Sequence, residues 1–421
     1  MRRKPNGASL DIEKSLFSKN GDDKRPVLIT GGAGFIGTNV ADRFLSAGHS
    51  VIIYDNISRP GVEQNLRWLQ ETHGSQVQIV VAEMRDAANL RYIVGQVSKV
   101  FHFAAQVAVT TSLISPVDDF EINARGTLNL LEAIRSLRNP PPLIFTSTNK
   151  VYGHLADVKM QENGDRYEPV DAEFRNNGFS EKRALDFHSP YGCSKGAAEQ
   201  YVLDYARTFK IPALVFRMSC IYGLHQFGNE DQGWVAHFLI RALEGNPITI
   251  YGDGKQVRDI LFIEDLVNAF LLAHEHMGEL SGKAFNIGGG PDNTISLLEL
   301  LDLIAEVNGE RPEVEFDTWR SADQQYYVSD IRRFSAATGW SPRVGVCEGV
   351  TRLYDWLLAN RTLSPLDANR VDGKTVSLNE AKQLSIMHSL QQTREPRSKR
   401  LWQEAHGNNG IFTPADGRAG R

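Results

Sequence analysis

Short apolar runs that alternate with longer amphipathic stretches constrain the fold of this chain more than any other feature. Because the intervening segments are long enough for a helix, the strands are expected to run parallel, with helices covering both faces of one sheet. Right-handed crossovers then make a doubly wound α/β sheet the predicted fold. The strand-like runs are 27–30, 50–55, 78–83, 99–105, 143–148 and 213–218.

Composition divides the chain into four predicted regions. Strand-like and helix-like segments alternate regularly up to about residue 222. Beyond it, Gly, Pro and aromatic residues make the alternation irregular. Strand-like runs at 248–252 and 284–290 are expected at the edges of a smaller, mixed region. The predicted regions are a flexible extension (1–25), a dinucleotide-binding domain (26–222), a lobe that mainly binds substrate (223–361) and a polar, disordered tail (362–421).

The charge of the chain argues against nucleic-acid binding. Lys and Arg outnumber Asp and Glu by 7 to 4 in residues 1–25 and by 9 to 6 in 362–421, which leaves 30 against 41 between them. Phosphate backbones are bound by basic surfaces, so an acidic body is not expected to bind nucleic acid.

The cysteines and the terminus indicate a cytoplasmic protein without a metal site. Cys193, Cys220 and Cys347 share no CxxC spacing, so neither a disulfide scaffold nor a structural zinc site is expected. The basic N-terminus lacks the apolar segment of a secretory signal, and no run is apolar and long enough to span a membrane.

The first strand runs into GGAGFIG, a pattern typical of dinucleotide binding. Gly31, Gly34 and Gly37 allow a tight turn, close approach of a pyrophosphate, and close packing of the following helix. Asp55 ends the next strand 18 residues later, where a carboxylate suits ribose hydroxyls and repels a 2′-phosphate. NAD is therefore favoured over NADP, although Arg59 could meet an adenosine phosphate.

Tyr191 and Lys195 form the predicted catalytic pair. Their spacing places both on one face of a helix, after five strands of the predicted sheet and after the hydroxyl-rich strand end TSTNKVYG. A nearby ammonium lowers the pKa of a phenol, which can then accept a proton from a substrate hydroxyl as hydride leaves the carbon.

These motifs, with YDN at 54–56, HFAA at 102–105, YGCSK at 191–195 and GKQVRD at 254–259, resemble the extended short-chain dehydrogenase/reductase family. The resemblance covers nearly all of 26–361. It implies a Rossmann sheet and a nucleotide-diphosphate sugar as substrate, with NAD bound tightly and regenerated in each turnover. A homodimer or homotetramer that pairs through helices at 118–137 and 190–208 is implied as well.

The resemblance also implies roles for individual residues. Thr148, Tyr191 and Lys195 would form the catalytic set, and Asn123 would orient the lysine. The implied cofactor contacts are Gly31, Gly34, Phe35, Ile36, Gly37, Asp55, Asn56, Ser58, Arg59, Glu83, Met84, Phe103, Ala104, Ala105, Asn123, Ser147, Tyr191 and Lys195. The implied substrate contacts are Thr148, Asn149, Gln226, Gln232, Gln256, Arg258, Arg320 and Asp323.

One departure from the family pattern bears on the reaction. The 4,6-dehydratases carry Asp-Glu directly after the catalytic Thr, whereas this chain has Asn149 and Lys150, which cannot serve as carboxylate bases. Epimerisation is therefore favoured, and the strings STNKVYG and DQGWV resemble the CDP-paratose (CDP-tyvelose) 2-epimerases. A 4-epimerase of a UDP-glucose or UDP-glucuronate type substrate, a non-catalytic NAD-binding module and a net reductase remain open.

Overall fold

The computed structural model describes residues 23–320 and 323–360. Apart from its last three residues, the predicted N-terminal extension lies outside this part of the chain. The predicted tail at 362–421 lies outside it entirely.

Seven parallel strands form the central sheet and confirm the predicted doubly wound α/β fold. Their order is β3-β2-β1-β4-β5-β8-β12, so the chain winds outward in one direction from β1 and in the other from β4. Pairing is in register, with Val27 opposite Val51 on one side and opposite Lys99 on the other. The strands are β1 (Val27–Thr30), β2 (Val51–Asp55), β3 (Val77–Val81), β4 (Lys99–His102), β5 (Leu143–Thr148), β8 (Ala213–Met218) and β12 (Ala284–Ile287).

Fourteen α-helices lie in the described residues, and the longer ones cover the two faces of the sheet. They are α1 (Phe35–Ser46), α2 (Val62–His73), α3 (Ala87–Val94), α4 (Val109–Ile114), α5 (Pro116–Phe120), α6 (Gly126–Arg135), α7 (Ala172–Asn177), α8 (Ser189–Phe209), α9 (Trp234–Glu244), α10 (Ile263–Glu275), α11 (Met277–Leu280), α12 (Leu297–Asn308), α13 (Arg332–Thr338) and α14 (Val346–Ala359). A short π-helical turn, Glu121–Arg125, joins α5 to α6.

Alternation along the strands separates two cores. Val27 and Ile29 of β1 pack into one core with α1, α2 and α10, whereas Leu28 packs into the other with α3, α6 and α8. All three side chains have no exposed area. Successive strand residues point to opposite faces, so a strand covered on both sides is apolar along its whole length, as the sequence of β1 is.

The strand predicted at 284–290 is placed differently from the expectation. It was expected at the edge of the smaller region, but β12 pairs in parallel with β8 and forms an outer strand of the central sheet. All four residues of Ala284–Ile287 are buried, and α13 packs against the strand. An apolar run alone does not say which sheet it joins, since that depends on contacts distant in sequence.

The smaller region beside the sheet edge contains short strands. β11 (Val257–Phe262) pairs with β9 (Cys220–Tyr222), β13 (Thr294–Ser296) and β15 (Tyr326–Tyr327). β10 (Ile248–Tyr251) pairs with β14 (Val314–Asp317), and β6 (Met160–Asn163) with β7 (Arg166–Pro169). In the described part of the chain, no helix is both long and apolar enough to cross a membrane.

Candidate active site

A cavity of about 560 Å³ opens at the carboxyl edge of the central sheet. Sheets of this type bind ligands where the strand order reverses, which here is between β1 and β4. The three predicted catalytic residues, Thr148, Tyr191 and Lys195, all line it. So do the predicted contacts Gly31, Gly34, Phe35, Ile36, Gly37, Arg59, Phe103, Ala105, Ser147, Asn149, Gln226, Gln232, Gln256, Arg258, Arg320 and Asp323. The other predicted contacts stand outside this lining: Asp55, Asn56, Ser58, Glu83, Met84, Ala104 and Asn123.

The glycine loop forms a tight cradle at the start of α1, in which a side chain at Gly31 or Gly37 would clash with the surrounding backbone. Gly31 has a φ of +68°, and a Cβ there would lie 2.6 Å from the Ala104 nitrogen. A Cβ at Gly37 would lie 2.4 Å from the carbonyl oxygen of Gly31. The helix begins at Phe35 without a side-chain cap, so its first N–H groups are left for a ligand. The loop therefore fits the pyrophosphate of a dinucleotide.

Asp55 connects the glycine loop to the turn after β2. Its carboxylate accepts hydrogen bonds from the main-chain N–H of Ala33 at 3.1 Å and of Ile57 at 2.9 Å. Burial raises the pKa of the carboxyl group, and these two donors oppose the shift. The carboxylate thus lies beside the loop that would hold a cofactor, at the position predicted for ribose binding.

Five of the implied cofactor contacts lie near the end of β2 and after β3, and one of them lines the cavity. The five are Asn56, Ser58, Arg59, Glu83 and Met84. Asn56 donates to Glu83 Oε1 at 3.1 Å, and the Ser58 N–H donates to Asn56 Oδ1 at 3.1 Å. Met84 is 5% exposed and its side chain packs in the core with α3 and α6. Arg59 is the member of this group that lines the cavity.

Tyr191 and Thr148 both line the cavity. Tyr191 lies in the first turn of α8, and the Thr148 side chain is near enough to its hydroxyl to lower the pKa of the phenol. Burial has the larger effect and raises the pKa of the phenol to about 12. Thr148 ends β5 and caps the turn Asn149–Tyr152 by accepting from the Lys150 N–H at 3.2 Å. Strand β5 and helix α8 therefore bring the two hydroxyls to the same part of the cavity.

Lys195 lies one turn further along α8 and is almost fully buried. Burial lowers its pKa to about 7, while Asp119 and Glu199 act in the opposite direction. Its ammonium nitrogen lies 4.3 Å from the centre of the Phe145 ring. A lysine with this pKa can be charged or neutral near neutral pH, so a small electrostatic change at the site alters its state.

Asp119, which sequence reasoning missed, is the first of two buried carboxylates that act on Lys195. It accepts from Ser194 Oγ and, at 3.2 Å, from Asn123 Nδ2. Asn123 itself binds the main chain of Gln106 in both directions, accepting at 2.9 Å and donating at 3.0 Å. The asparagine predicted to orient the lysine thus anchors the loop after β4. No sequence signal marks Asp119, because its partner Ser194 is 75 positions away.

Glu199, the second buried carboxylate, forms an ion pair with Arg217. Arg217 donates from Nε at 3.0 Å and Nη2 at 2.5 Å, and Ser147 Oγ donates at 2.7 Å. Arg217 also donates to the Tyr152 hydroxyl at 2.9 Å. Ser147, predicted as a cofactor contact, is therefore bonded to this network. The position of Glu199 four residues after Lys195 was the available signal, since that spacing shares a helix face.

The implied substrate contacts Arg258 and Asp323 lie together in the cavity lining, beside Lys150. Arg258 Nη2 donates to Asp323 Oδ1 at 2.6 Å, and Lys150 Nζ lies 3.8 Å from the same oxygen. Asp323, an implied substrate contact, thus lies between two cations. Its pKa is lowered by Arg258 and Lys150 against the opposing effect of burial.

Two buried amide oxygens in the cavity wall lack hydrogen-bond partners among the described residues. They belong to Gln232 and Gln256. The Gln256 amide nitrogen is bonded to the Tyr251 carbonyl at 2.7 Å, which fixes the oxygen toward other groups. A buried unpaired acceptor is costly, so these oxygens are suited to donors of a bound ligand.

Arg320 is held by neighbours at the outer end of the cavity. Its guanidinium lies 4.0 Å above the Tyr251 ring and donates to the Glu230 carbonyl oxygen at 2.9 Å. The Glu230 carboxylate is 3.6 Å away. Gln226, a further predicted contact, donates to the Ile221 carbonyl at 3.2 Å and so shapes the adjoining loop. Among the described residues, no cluster of potential ligands could hold a metal ion.

Comparison with known proteins shows the family to which the chain belongs. The model of the NAD-dependent epimerase/dehydratase family matches residues 27–288. The chain belongs to this family. It is 44% identical to CDP-paratose 2-epimerase of Salmonella typhi in an alignment of 337 residues that covers 78% of this chain and 98% of that protein.

Two solved structures of the family are similar to the described fold. UDP-glucose 4-epimerase from Thermotoga maritima, with UDP-glucose, is 29% identical with a TM-score of 0.69, covering 80% of this chain and 99% of that one. UDP-glucuronic acid 4-epimerase from Bacillus cereus, in complex with UDP-glucuronic acid and NAD, is 26% identical with a TM-score of 0.67. That alignment covers 79% of this chain and 99% of the other.

Membership of the epimerase/dehydratase family confirms two predictions made from the sequence. The chain is an NAD-dependent enzyme of the isomerase type, and its cofactor is NAD. The tight glycine loop, together with the uncapped start of α1, is the feature of the structure that fits this cofactor.

Proposed function

We propose that the enzyme interconverts CDP-paratose and CDP-tyvelose by inverting carbon 2 of the hexose. The observation that carries the proposal is the 44% identity to a CDP-paratose 2-epimerase along nearly its whole length. The cavity supports it, because Asn149 and Lys150 occupy the positions where the dehydratases carry two carboxylates. Loss of water needs an acid and a base there, whereas epimerisation does not.

The chain's own residues would hold the cofactor and the reacting hydroxyl. The glycine loop and α1 hold the pyrophosphate, and Asp55 holds a ribose. NAD, when bound, supplies a group that accepts a hydride and returns it. Thr148 and Tyr191 bind the carbon-2 hydroxyl, and Tyr191 Oη takes its proton as the carbon is oxidised. Tyr191 returns that proton to the 2-keto group after the sugar has turned its other face.

Lys195 makes this proton transfer possible near neutral pH. With a pKa of about 12, the Tyr191 phenol is protonated in the ligand-free protein. A charged Lys195 one helical turn away stabilises the phenolate. Because the pKa of Lys195 is about 7, the lysine can gain or lose its proton near neutral pH. Asp119 and Glu199 favour the charged ammonium, and we assign them as positioning residues of the catalytic set.

The second candidate is inversion at carbon 4 of a UDP-sugar by the same residues. The two solved 4-epimerases of similar fold favour it. A non-catalytic NAD-binding module is disfavoured, because Thr148, Tyr191 and Lys195 stand together in the cavity. A net reductase would consume added NADH in proportion to product.

The test is to incubate the purified protein with CDP-paratose, and separately with UDP-glucose and UDP-glucuronic acid, without added cofactor. Proton NMR then follows inversion at carbon 2 and carbon 4. The proposal expects only the carbon-2 epimer of CDP-paratose, and mass spectrometry should find NAD released from the denatured protein. Inversion at carbon 4 alone would replace the proposal by the second candidate.

We further propose that two copies of the chain associate through α8 and the segment from α4 to α6. Leu113, Ile114, Val117 and Phe120 leave about half or more of each side chain exposed along α4 and α5. Tyr201 and Phe209 add exposed aromatic area on α8, which contacts α4 and α5. Exposed apolar side chains on helices that pack together are typical of an interface. Light scattering should give a dimer or tetramer, and a monomer would refute the proposal.

A reducing, cytoplasmic location is also supported. Cys193, Cys220 and Cys347 are all free thiols in the structure. Oxidising compartments select for paired cysteines, so three free ones favour a reducing compartment.

A further inference from the structure

Lys150 lies between two groups of cavity residues. One is Thr148 and Tyr191, here called the reaction pair, and the other is Arg258 with Asp323. Its main-chain N–H donates to Thr148 Oγ1 at 3.2 Å, which places the residue directly beside the hydroxyls of the proposed reaction. Its ammonium nitrogen lies 3.8 Å from Asp323 Oδ1, the oxygen that accepts from Arg258. One residue therefore reaches from the proposed site of proton transfer to the proposed site of diphosphate binding.

The cations Lys150 and Arg258 share the single carboxylate of Asp323. Their side chains are 23% and 9% exposed, and that of Asp323 is 24% exposed. The three groups together carry a net positive charge in a partly desolvated wall. Burial lowers the pKa of Lys150 and Asp323 opposes this. An anionic group entering the cavity would stabilise both cations, because charge-assisted hydrogen bonds are strong where water is scarce.

The chemistry of the substrate connects this position to carbon 2. Carbon 2 of the hexose is bonded to carbon 1, which carries the diphosphate, whereas carbon 4 lies across the ring. When carbon 2 faces Thr148 and Tyr191, the sugar-linked phosphate must lie close to that pair. When carbon 4 faces them, the phosphate is a ring's width away. The first orientation therefore brings the sugar-linked phosphate closer to a cation two residues after Thr148 than the second does.

We propose that Lys150 determines which carbon reacts, by binding the sugar-linked phosphate together with Arg258 so that carbon 2 faces the reaction pair. This inference rests on the proposed 2-epimerase function and names the residue that sets its regiochemistry. Lys150 touches substrate in this account without accepting or donating the transferred proton. Methionine, with similar length and no charge, would leave the turn Asn149–Tyr152 intact and remove the phosphate contact.

The experiment measures nucleotide affinity and turnover in Lys150→Met, with Lys150→Arg as the conservative variant. The matched control is Lys283→Met, at an exposed lysine whose ammonium binds the Glu279 carbonyl. Losing a charged hydrogen bond to phosphate is expected to weaken CDP binding about ten- to a hundredfold in Lys150→Met. CMP lacks the second phosphate, so its affinity should stay within twofold. Arginine should recover most of the loss because a guanidinium also binds phosphate.

Turnover supplies the second readout. The value of kcat/KM for CDP-paratose should fall about ten- to a hundredfold in Lys150→Met, with unchanged NAD content and melting temperature. Equal losses for CDP and CMP, or CDP affinity within twofold of wild type, would overturn the role of Lys150. If the wild type inverts carbon 4, the proposed function fails and so does this inference. If the wild type inverts carbon 2 while Lys150→Met turns over normally, this inference alone fails.

Discussion

Replacing Glu199 by glutamine should destabilise the protein strongly, because it leaves Arg217 buried without its counter-charge. Glu199 has no exposed area and the Arg217 side chain is 6% exposed, with their closest atoms 2.5 Å apart. Breaking a buried ion pair by neutralising one partner costs about 3–5 kcal/mol. For the roughly 340 residues that the structure describes, an unfolding entropy of about 2.1 cal/mol/K per residue converts this to a melting temperature about 4–7 °C lower.

The assay is thermal unfolding of NAD-loaded protein, with Asp204→Asn as the matched control. Asp204 lies on the same helix and pairs with Arg207 at 2.8 Å, but the two side chains are 46% and 76% exposed. Such a surface pair contributes less than about 1 kcal/mol, so the control should change the melting temperature little. Equal small shifts for Glu199→Gln and Asp204→Asn would refute the reasoning.

A double variant separates loss of charge pairing from loss of volume. Replacing Glu199 by leucine and Arg217 by methionine removes both charges, and apolar replacements of buried pairs are often neutral or stabilising. The double variant should therefore be more stable than either single variant, and the coupling energy should be measurable. Additive losses would show that the pair contributes through packing alone.

The remaining predictions concern the cofactor and the reaction pair. Gly37→Ala should abolish NAD retention, since its Cβ would lie 2.4 Å from the Gly31 carbonyl oxygen; NAD content near wild type would contradict the assigned cradle. Tyr191→Phe should lower kcat by about a hundredfold or more with NAD still bound, and a loss under tenfold would exclude it as the base. For Lys195, the unfolded state holds the proton between pH 7 and about 10 and the folded state does not, because burial lowers the folded pKa to about 7 from 10.5. Stability of ligand-free wild type relative to Lys195→Met should therefore rise with pH across that window in urea unfolding, and a flat difference would contradict the burial.

The local parts of the fold could be predicted from the sequence because they are encoded by neighbouring residues. The runs at 27–30, 143–148 and 213–218 are strands with those same bounds, since continuous apolar runs bounded by turns indicate strands buried on both faces. Tyr191 and Lys195 share one helix, as their spacing predicted. The position of β12 in the central sheet escaped prediction, because which sheet a strand joins depends on distant contacts.

The electrostatic surroundings of the site were less predictable for the same physical reason. Asp119 and Arg217 lie 75 and 18 positions from their partners Ser194 and Glu199, and nothing local signals those bonds. Lys150 was noted in the sequence only because it cannot act as a carboxylate. Its position between Thr148 and Asp323 depends on the fold, which brings Asp323 next to a residue far from it in the sequence.

The most direct test of the central claim is the fate of a hydrogen isotope at carbon 2. CDP-paratose carrying deuterium at carbon 2 is incubated with the wild-type enzyme in ordinary water, without added NAD. If hydride leaves carbon 2 and returns to its other face, NMR will show CDP-tyvelose that keeps the deuterium at carbon 2, and no NADH will accumulate. Exchange of the deuterium with solvent, or inversion at carbon 4, would contradict the account.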